Sequence, residues 1–195
     1  MSSREPIELF RRWLSLARKK SGQKFPEAMC LSTSSRRRGV DGRIVLLKGV
    51  VDEGFVFYTN VTSAKGRALK KNSRCSLTFY WDALARQVRV RGRAVLVGNA
   101  EADAYFASRP RMSQIAAWAS RQSAVLPNRA VLLQRAERFR ALFKGRRVPR
   151  PPFWHGFRVI PDRIEFWRGR AHRLHDRFLY VRKHGNRWAL RRLYP

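Results

Sequence analysis

Apolar residues recur with a helical period near the start of the chain. Ile7, Leu9, Phe10, Trp13, Leu14 and Ala17 share one face over residues 6–20, with Arg11, Arg12 and Arg18 outside it. Pro6 suits a first helical turn and Gly22 a stop. Strand-like runs follow. Ala28–Thr33 is short and apolar, and Arg43-Ile-Val-Leu-Leu-Lys48 predicts a buried strand with a cation at each end. Gly54–Thr59 follows an Asp52-Glu53-Gly54 turn, which predicts a hairpin. Ser63–Lys71 reads as a short helix opened by a serine cap. Cys75–Trp81 is a further strand. Over 87–97, Val88 and Val90 point one way and Arg89, Arg91 and Arg93 the other, so one strand face is wet. Helical patterns return at 100–108, 111–121 and 128–143, separated by Pro110 and Pro127, and 146–152 reads as a stiff linker. The chain closes with strands at Trp154–Ile160, Arg163–Trp167, Arg177–Arg182 and Arg187–Arg191.

Seven or eight strands joined by short turns, with helices inserted late, predict a mainly β fold with added helices. The sheet should be antiparallel and most economically closed into a barrel. A single domain over 1–195 is expected. No GxGxxG follows the first strand and strands do not alternate with helices, which disfavours a dinucleotide-binding βαβ fold.

Charge complicates this picture. Lys and Arg total 43 against 13 acids, a formal net charge of +30. Nucleic-acid binding, steering of phosphorylated ligands and a plain surface bias toward arginine all accommodate it. The arginines are spread along the chain and form no terminal arm, which weakens the first reading. Cys30 and Cys75 sit in apolar runs, outside any CxxC pattern, and read as buried free thiols. No metal cluster is legible: His172 and His175 stand close together, but in a segment that reads as a loop. The N-terminus carries no apolar signal core and no run approaches a membrane span of about 20 residues. A cytoplasmic protein without a membrane partner is therefore expected.

The chemistry on offer is a set of cations at strand ends: Arg43, Lys48, Lys65, Arg109, Arg173 and Arg177. Hydroxyls at Thr59, Ser63, Tyr105, Ser113 and Ser123 could complete a phosphate shell. On spacing alone, solvated charge is the stronger reading of these positions.

Longer motifs change that balance. They are Arg43–Lys48, Phe57-Tyr-Thr-Asn60, Arg86-Gln-Val88, Tyr105-Phe-Ala-Ser-Arg-Pro-Arg-Met-Ser-Gln-Ile115, Gln122-Ser123, Phe153-Trp-His-Gly-Phe-Arg158 and Ile164-Glu-Phe-Trp-Arg-Gly-Arg-Ala-His-Arg-Leu-His-Asp-Arg177. In this order and spacing, from about residue 5 to the C-terminus, they resemble the pyridoxamine/pyridoxine 5'-phosphate oxidase family. The 108–114 and 165–177 stretches carry most of the specificity.

The resemblance implies an FMN-binding split β-barrel homodimer. It implies oxidation of pyridoxamine or pyridoxine 5'-phosphate to pyridoxal 5'-phosphate, with O2 as acceptor and hydrogen peroxide as product. It assigns FMN contacts to Arg43, Ile44, Val45, Leu46, Leu47, Lys48, Tyr58, Thr59, Lys65, Gln87, Gln122, Ser123, Trp167 and Arg177, with Arg43 and Lys65 on the FMN phosphate. It assigns the substrate phosphate to Lys48, Tyr105, Arg109 and Ser113. Arg173 and His175 are implied to lie over the pyridine ring as substrate-binding and catalytic residues. Without the resemblance, Arg173 and His175 could equally form a salt-bridge corner with Asp176, and Trp167 could be plain core.

Departures from the family pattern are Ala64 where an arginine is common, Met112 where an acid is common, and the lack of a basic, aromatic arm before the first helix. They keep open a split-barrel flavoprotein with another redox substrate or without turnover. A basic nucleic-acid-binding barrel is the remote alternative, and its binding would weaken steeply with salt.

Overall fold

The computed structural model describes residues 5–35, 39–52 and 54–195. Glu53 of the expected turn and residues 1–4 of the N-terminus lie outside the described residues. The chain opens with helix α1 (Pro6–Lys20), followed by strands β1 (Ala28–Ser35), β2 (Gly39–Leu46), β3 (Gly49–Val51) and β4 (Gly54–Asn60). Helix α2 (Ala64–Lys71) leads to β5 (Arg74–Trp81) and β6 (Arg86–Leu96). Helices α3 (Asn99–Ala107), α4 (Arg111–Ala119) and α5 (Arg129–Leu142) form the insertion. Strands β7 (Trp154–Arg168), β8 (Asp176–Arg182) and β9 (Trp188–Leu193) complete the chain.

The strands form one antiparallel sheet in the order β2-β1-β5-β6-β7-β4-β3, with β8 on β7 and β9 on β8. No ladder joins β2 to β3, so the sheet curls without closing, as a split barrel does. Alternation along β6 buries Val88, Val90 and Ala94 and leaves Arg89, Arg91 and Arg93 outside. Helix α1 fills the inner face. Its Phe10 ring lies 4.8 Å from Phe55 and 4.9 Å from Phe79, and Trp13 meets Phe166 edge-on at 5.2 Å. Ser63 caps α2 by accepting the Gly66 N–H. A smaller core of Phe106, Ile115, Val148 and Trp154 lies under α3 and α4, and α5 rests on it through Trp118 and Phe139.

Several sequence expectations need correction. The two strands expected at 154–160 and 163–167 are one continuous strand. Pro161, in the gap between those two runs, is absorbed by a register shift opposite Arg91 and Gly92. Glycine is required there, because a Cβ on Gly92 would collide with the Ile160 carbonyl. With the short β3 the strands number nine among the described residues. The 43–48 run is not a buried strand: β2 ends at Leu46 and lies at the end of the sheet path, and Ile44 is 67% exposed. On the path β2 is paired along one edge, to β1, and its side chains alternate, with Val45 packed against the main core and Ile44 turned outward. Cys30 and Cys75 are free but only partly buried. Burial, with Asp162 nearby, pushes the Cys75 thiol up to about 12.

No helix is long and apolar enough to cross a membrane among the described residues.

Candidate active site

The residues singled out in the sequence gather into two clusters. The first lines a cleft of about 450 Å³ between the end of β2, β4, α2 and α4. Arg43 reaches it from β2. Its guanidinium donates to the Leu31 carbonyl at 3.1 Å and Thr33 Oγ1 at 2.8 Å, and pairs with Asp41. Lys65 arrives from the first turn of α2 and donates to Gln122 Oε1 at 3.0 Å. The same oxygen accepts from Thr59 Oγ1 at 3.1 Å. Ser123 Oγ accepts the Ala64 N–H at 3.2 Å, with Ser123 itself at a left-handed φ of 73°. The 122–123 turn is thus held against the start of α2. Burial, and then the Arg43 charge, lower the Lys65 pKa below its ordinary value. Adjacent cations that raise each other's cost are the donor set a phosphate dianion satisfies.

Lys48, Arg109 and Ser113 line the same cleft. Arg109 follows α3, and its guanidinium carbon lies 4.9 Å from the Trp154 ring centroid and 5.5 Å from that of Phe106. Arg109 Nη1 is buried and has no hydrogen-bond partner among the described residues. Burial lowers its pKa. A buried donor left unmade is costly, and an anion in the cleft would relieve it.

The second cluster sits elsewhere. Gln87, Trp167 and Arg177 are cross-strand neighbours on β6, β7 and β8. Arg177 donates to buried Glu165 at 2.9 Å and to the Tyr194 carbonyl at 3.0 Å. Trp167 is half-buried and lies 4.7 Å from the His175 ring, so it packs against the loop rather than in the core. His175 Nδ1 accepts the Arg170 N–H at 3.2 Å, which leaves the proton of the neutral ring on Nε2. His172 and Arg173 take left-handed φ values of 55° and 60°, a strained turn that leaves Arg173 exposed. Asp176 pairs with Arg170 at 2.8 Å, so Arg173 forms no salt-bridge corner with it.

One chain does not bring the clusters together. None of Gln87, Trp167, Arg173, His175 and Arg177 lines the cleft. Thr59 pairs with His155 near the start of β7, whereas Gln87 pairs with Trp167 near its end. At about 3.3 Å per residue, roughly 40 Å of strand separates those positions. Within one chain the motif residues therefore form two separate clusters.

Individual positions also differ from expectation. Leu47 is buried in the main core and turns its side chain away from the cleft. Tyr105 is behind the cleft wall, stacked on Tyr58 at 4.0 Å. Ser123 borders a neighbouring cavity. Conversely, Asn60, Ser120 and Trp154 line the cleft and were not singled out. Asn60 and Trp154 stand within quoted motifs, and Ser120 two residues before Gln122-Ser123, so proximity to those motifs was the available signal.

Fold and site define a class: a split-barrel protein with a cleft lined by cations and a second cluster of polar and aromatic residues on its C-terminal strands. Comparison with known proteins identifies the family. The family model described as pyridoxamine 5'-phosphate oxidase matches residues 22–143. The pyridoxine 5'-phosphate oxidase C-terminal dimerisation region matches residues 154–195. The chain belongs to the pyridoxamine 5'-phosphate oxidase family. The pyridoxine/pyridoxamine 5'-phosphate oxidase of Rubrobacter xylanophilus is 50% identical over 191 residues, covering 98% of this chain and 87% of that protein. That of Zymomonas mobilis is 47% identical over 193 residues, covering 99% and 100%. Among solved structures, PhzG from Burkholderia lata in complex with tetrahydrophenazine-1-carboxylic acid matches with a TM-score of 0.92 and 34% identity, over 99% of this chain and 94% of that one.

Proposed function

We propose that this chain is an FMN-dependent oxidase that converts pyridoxamine or pyridoxine 5'-phosphate to pyridoxal 5'-phosphate, reducing O2 to hydrogen peroxide. The observation that carries the reading is one cleft lined by the four cations Arg43, Lys48, Lys65 and Arg109. Two phosphate esters, one from a flavin and one from its reductant, fit that donor set. The orphaned Arg109 Nη1 and the lowered Lys65 pKa are the physical marks of an anion site.

In this reading Arg43 and Lys65, with Gln122, hold the FMN phosphate, and Ser123 secures the Gln122 turn against the start of α2. The segment Arg43–Lys48, Tyr58 and Thr59 flank the flavin, with Leu47 contributing backbone only. A second copy of the chain supplies Gln87, Trp167 and Arg177 to the same flavin. Lys48, Arg109 and Ser113 grip the substrate phosphate, Tyr105 supports them from behind through its stack on Tyr58, and Arg173 and His175 of the second copy cover the pyridine ring. When bound, FMN supplies hydride acceptance from the substrate carbon and electron transfer to O2. The protein's part is positioning: a clamped phosphate fixes the ring and its reacting carbon in place. His175, with Nδ1 already occupied, offers Nε2–H to the substrate. The alcohol leaves as an aldehyde with peroxide, and the amine route also consumes water and releases ammonia.

The purified protein is expected to be yellow after desalting and to form peroxide when given pyridoxamine 5'-phosphate. A colourless protein, or flavin without peroxide from either substrate, would sink the assignment. Flavin retention should also depend on pH. The Lys65 ammonium is intact at neutral pH and is lost as pH rises through a value below the usual 10.5 of lysine. Flavin release followed by fluorescence should therefore begin at lower pH than for an ordinary lysine contact, and Lys65→Gln should abolish that step.

A second reading keeps the flavin and changes the reductant. The relative from Burkholderia lata holds a phosphate-free carboxylic acid, tetrahydrophenazine-1-carboxylic acid. Bound flavin with turnover of such an acid, and none of the phosphate esters, would favour it.

A further inference from the structure

We propose that Trp154 is a positioning residue that aims Arg109 at the substrate phosphate and sets the preference for phosphorylated over phosphate-free substrates. The inference rests on the function proposed above. Trp154 opens β7, is 7% exposed, and lines the cleft. Its indole is the centre of an aromatic stack. The Tyr58 ring lies 5.1 Å away at 8°, and the Tyr105 ring, 4.0 Å from Tyr58, lies 6.2 Å from Trp154 at 6°. Phe106 meets the indole edge-on at 5.0 Å. Gly156 makes room for this arrangement, since a Cβ there would sit 2.7 Å from Tyr58 Cε1.

Arg109 rests on this stack, its guanidinium carbon 4.9 Å from the Trp154 centroid. The contact explains how an arginine stays in the cleft without a carboxylate. Aromatic faces offset part of the cost of its charge while leaving the planar fork of N–H donors open. A carboxylate in the same place would neutralise the guanidinium and compete with the incoming phosphate. The orphaned Nη1 is the donor this arrangement holds in reserve.

The stack is also tied to the backbone that carries the clamp. Arg150 donates to the Trp154 carbonyl at 2.9 Å, to Asp103 at 2.6 Å and to Asn99 at 3.1 Å. Asn99, Asp103 and Tyr105 lie on α3, and Arg109 follows its end. Trp154 and the phosphate-gripping segment are thus parts of one braced unit, and removing the indole face frees Arg109 to take other rotamers.

The test compares Trp154→Leu and Trp154→Phe with the unaltered full-length flavoprotein. Steady-state kinetics with pyridoxine 5'-phosphate and with pyridoxine give a preference ratio, and calorimetry gives the affinity for pyridoxine 5'-phosphate. Trp154→Leu is expected to lower the preference ratio about tenfold, the scale of one desolvated cation–π contact, chiefly through KM for the ester. Trp154→Phe, with a weaker π face, is expected to lose about threefold. A parallel fall for both substrates would mark Trp154 as merely structural and overturn the proposal. If Trp154→Leu fails to fold, an unchanged ratio in Trp154→Phe overturns it as well. An unaltered protein that binds the ester but oxidises neither compound would refute the oxidase reading alone, and the calorimetric affinities would then decide Trp154. An unaltered protein that does not bind the ester would overturn both.

Discussion

Co-expression of a Lys48→Ala chain with an Arg173→Ala chain is expected to restore about a quarter of wild-type activity, though each variant alone falls at least a hundredfold. The two half-sites lie at opposite ends of β7 and cannot meet within one chain. In the proposed twofold dimer each active site would take its cleft from one chain and its covering loop from the other. A mixed dimer of these variants then has one site carrying both substitutions and one carrying neither. Random pairing makes about half of the dimers mixed, each with one working site of two, hence roughly a quarter overall. The C-terminal dimerisation region over 154–195 contains Arg173 and His175. The measurement is peroxide formation by the co-purified mixture, and mixed dimers isolated with distinct tags should show about half of wild-type activity. Activity no higher than that of the separate variants would mean that the clusters serve no common site.

Replacing Arg109 with Met should separate function from stability. A buried or half-buried cation facing a phosphate contributes about 2–5 kcal/mol to binding, so kcat/KM for the ester should fall by roughly a hundredfold or more. The ligand-free protein should scarcely notice. Arg109 has no carboxylate to lose, its Nη1 is already orphaned, and burial works against its charge. A flexible apolar side chain of similar length keeps contact with Phe106 and Trp154. The thermal midpoint without substrate is expected to stay within a few degrees of the unaltered protein or to rise. A kcat/KM loss below tenfold would remove Arg109 from the phosphate clamp, and a large drop in thermal midpoint would make it a structural residue.

The net charge of +30 is partly resolved by the fold. Arg89 is not free on the wet face of β6, since Glu165 accepts from it at 3.3 Å while also holding Arg177. Arg91 and Arg93 remain exposed. The aromatics of the cleft are stacked on one another and on Arg109, so they do not form a row of open platforms for bases.

Much of this protein is determined locally. The stripe over residues 6–20, the alternation along β6 and the serine before α2 specify their elements because each depends on side chains a few residues apart. The motifs at 43–48, 105–115 and 164–177 name the chemistry only through their resemblance to a known family, since on spacing alone their cations read as solvated charge. What the sequence could not decide depends on distant partners. Whether Pro161 breaks a strand depended on Gly92, far away in the chain, offering room for a bulge. Whether 43–48 is buried depended on β2 lying at the end of the sheet path. Whether Arg109 pairs with an acid or lies on Trp154 depended on how α3 docks against β7. Above all, only the tertiary structure separates the candidate site into two halves, because one extended strand carries both and holds them too far apart to share a ligand.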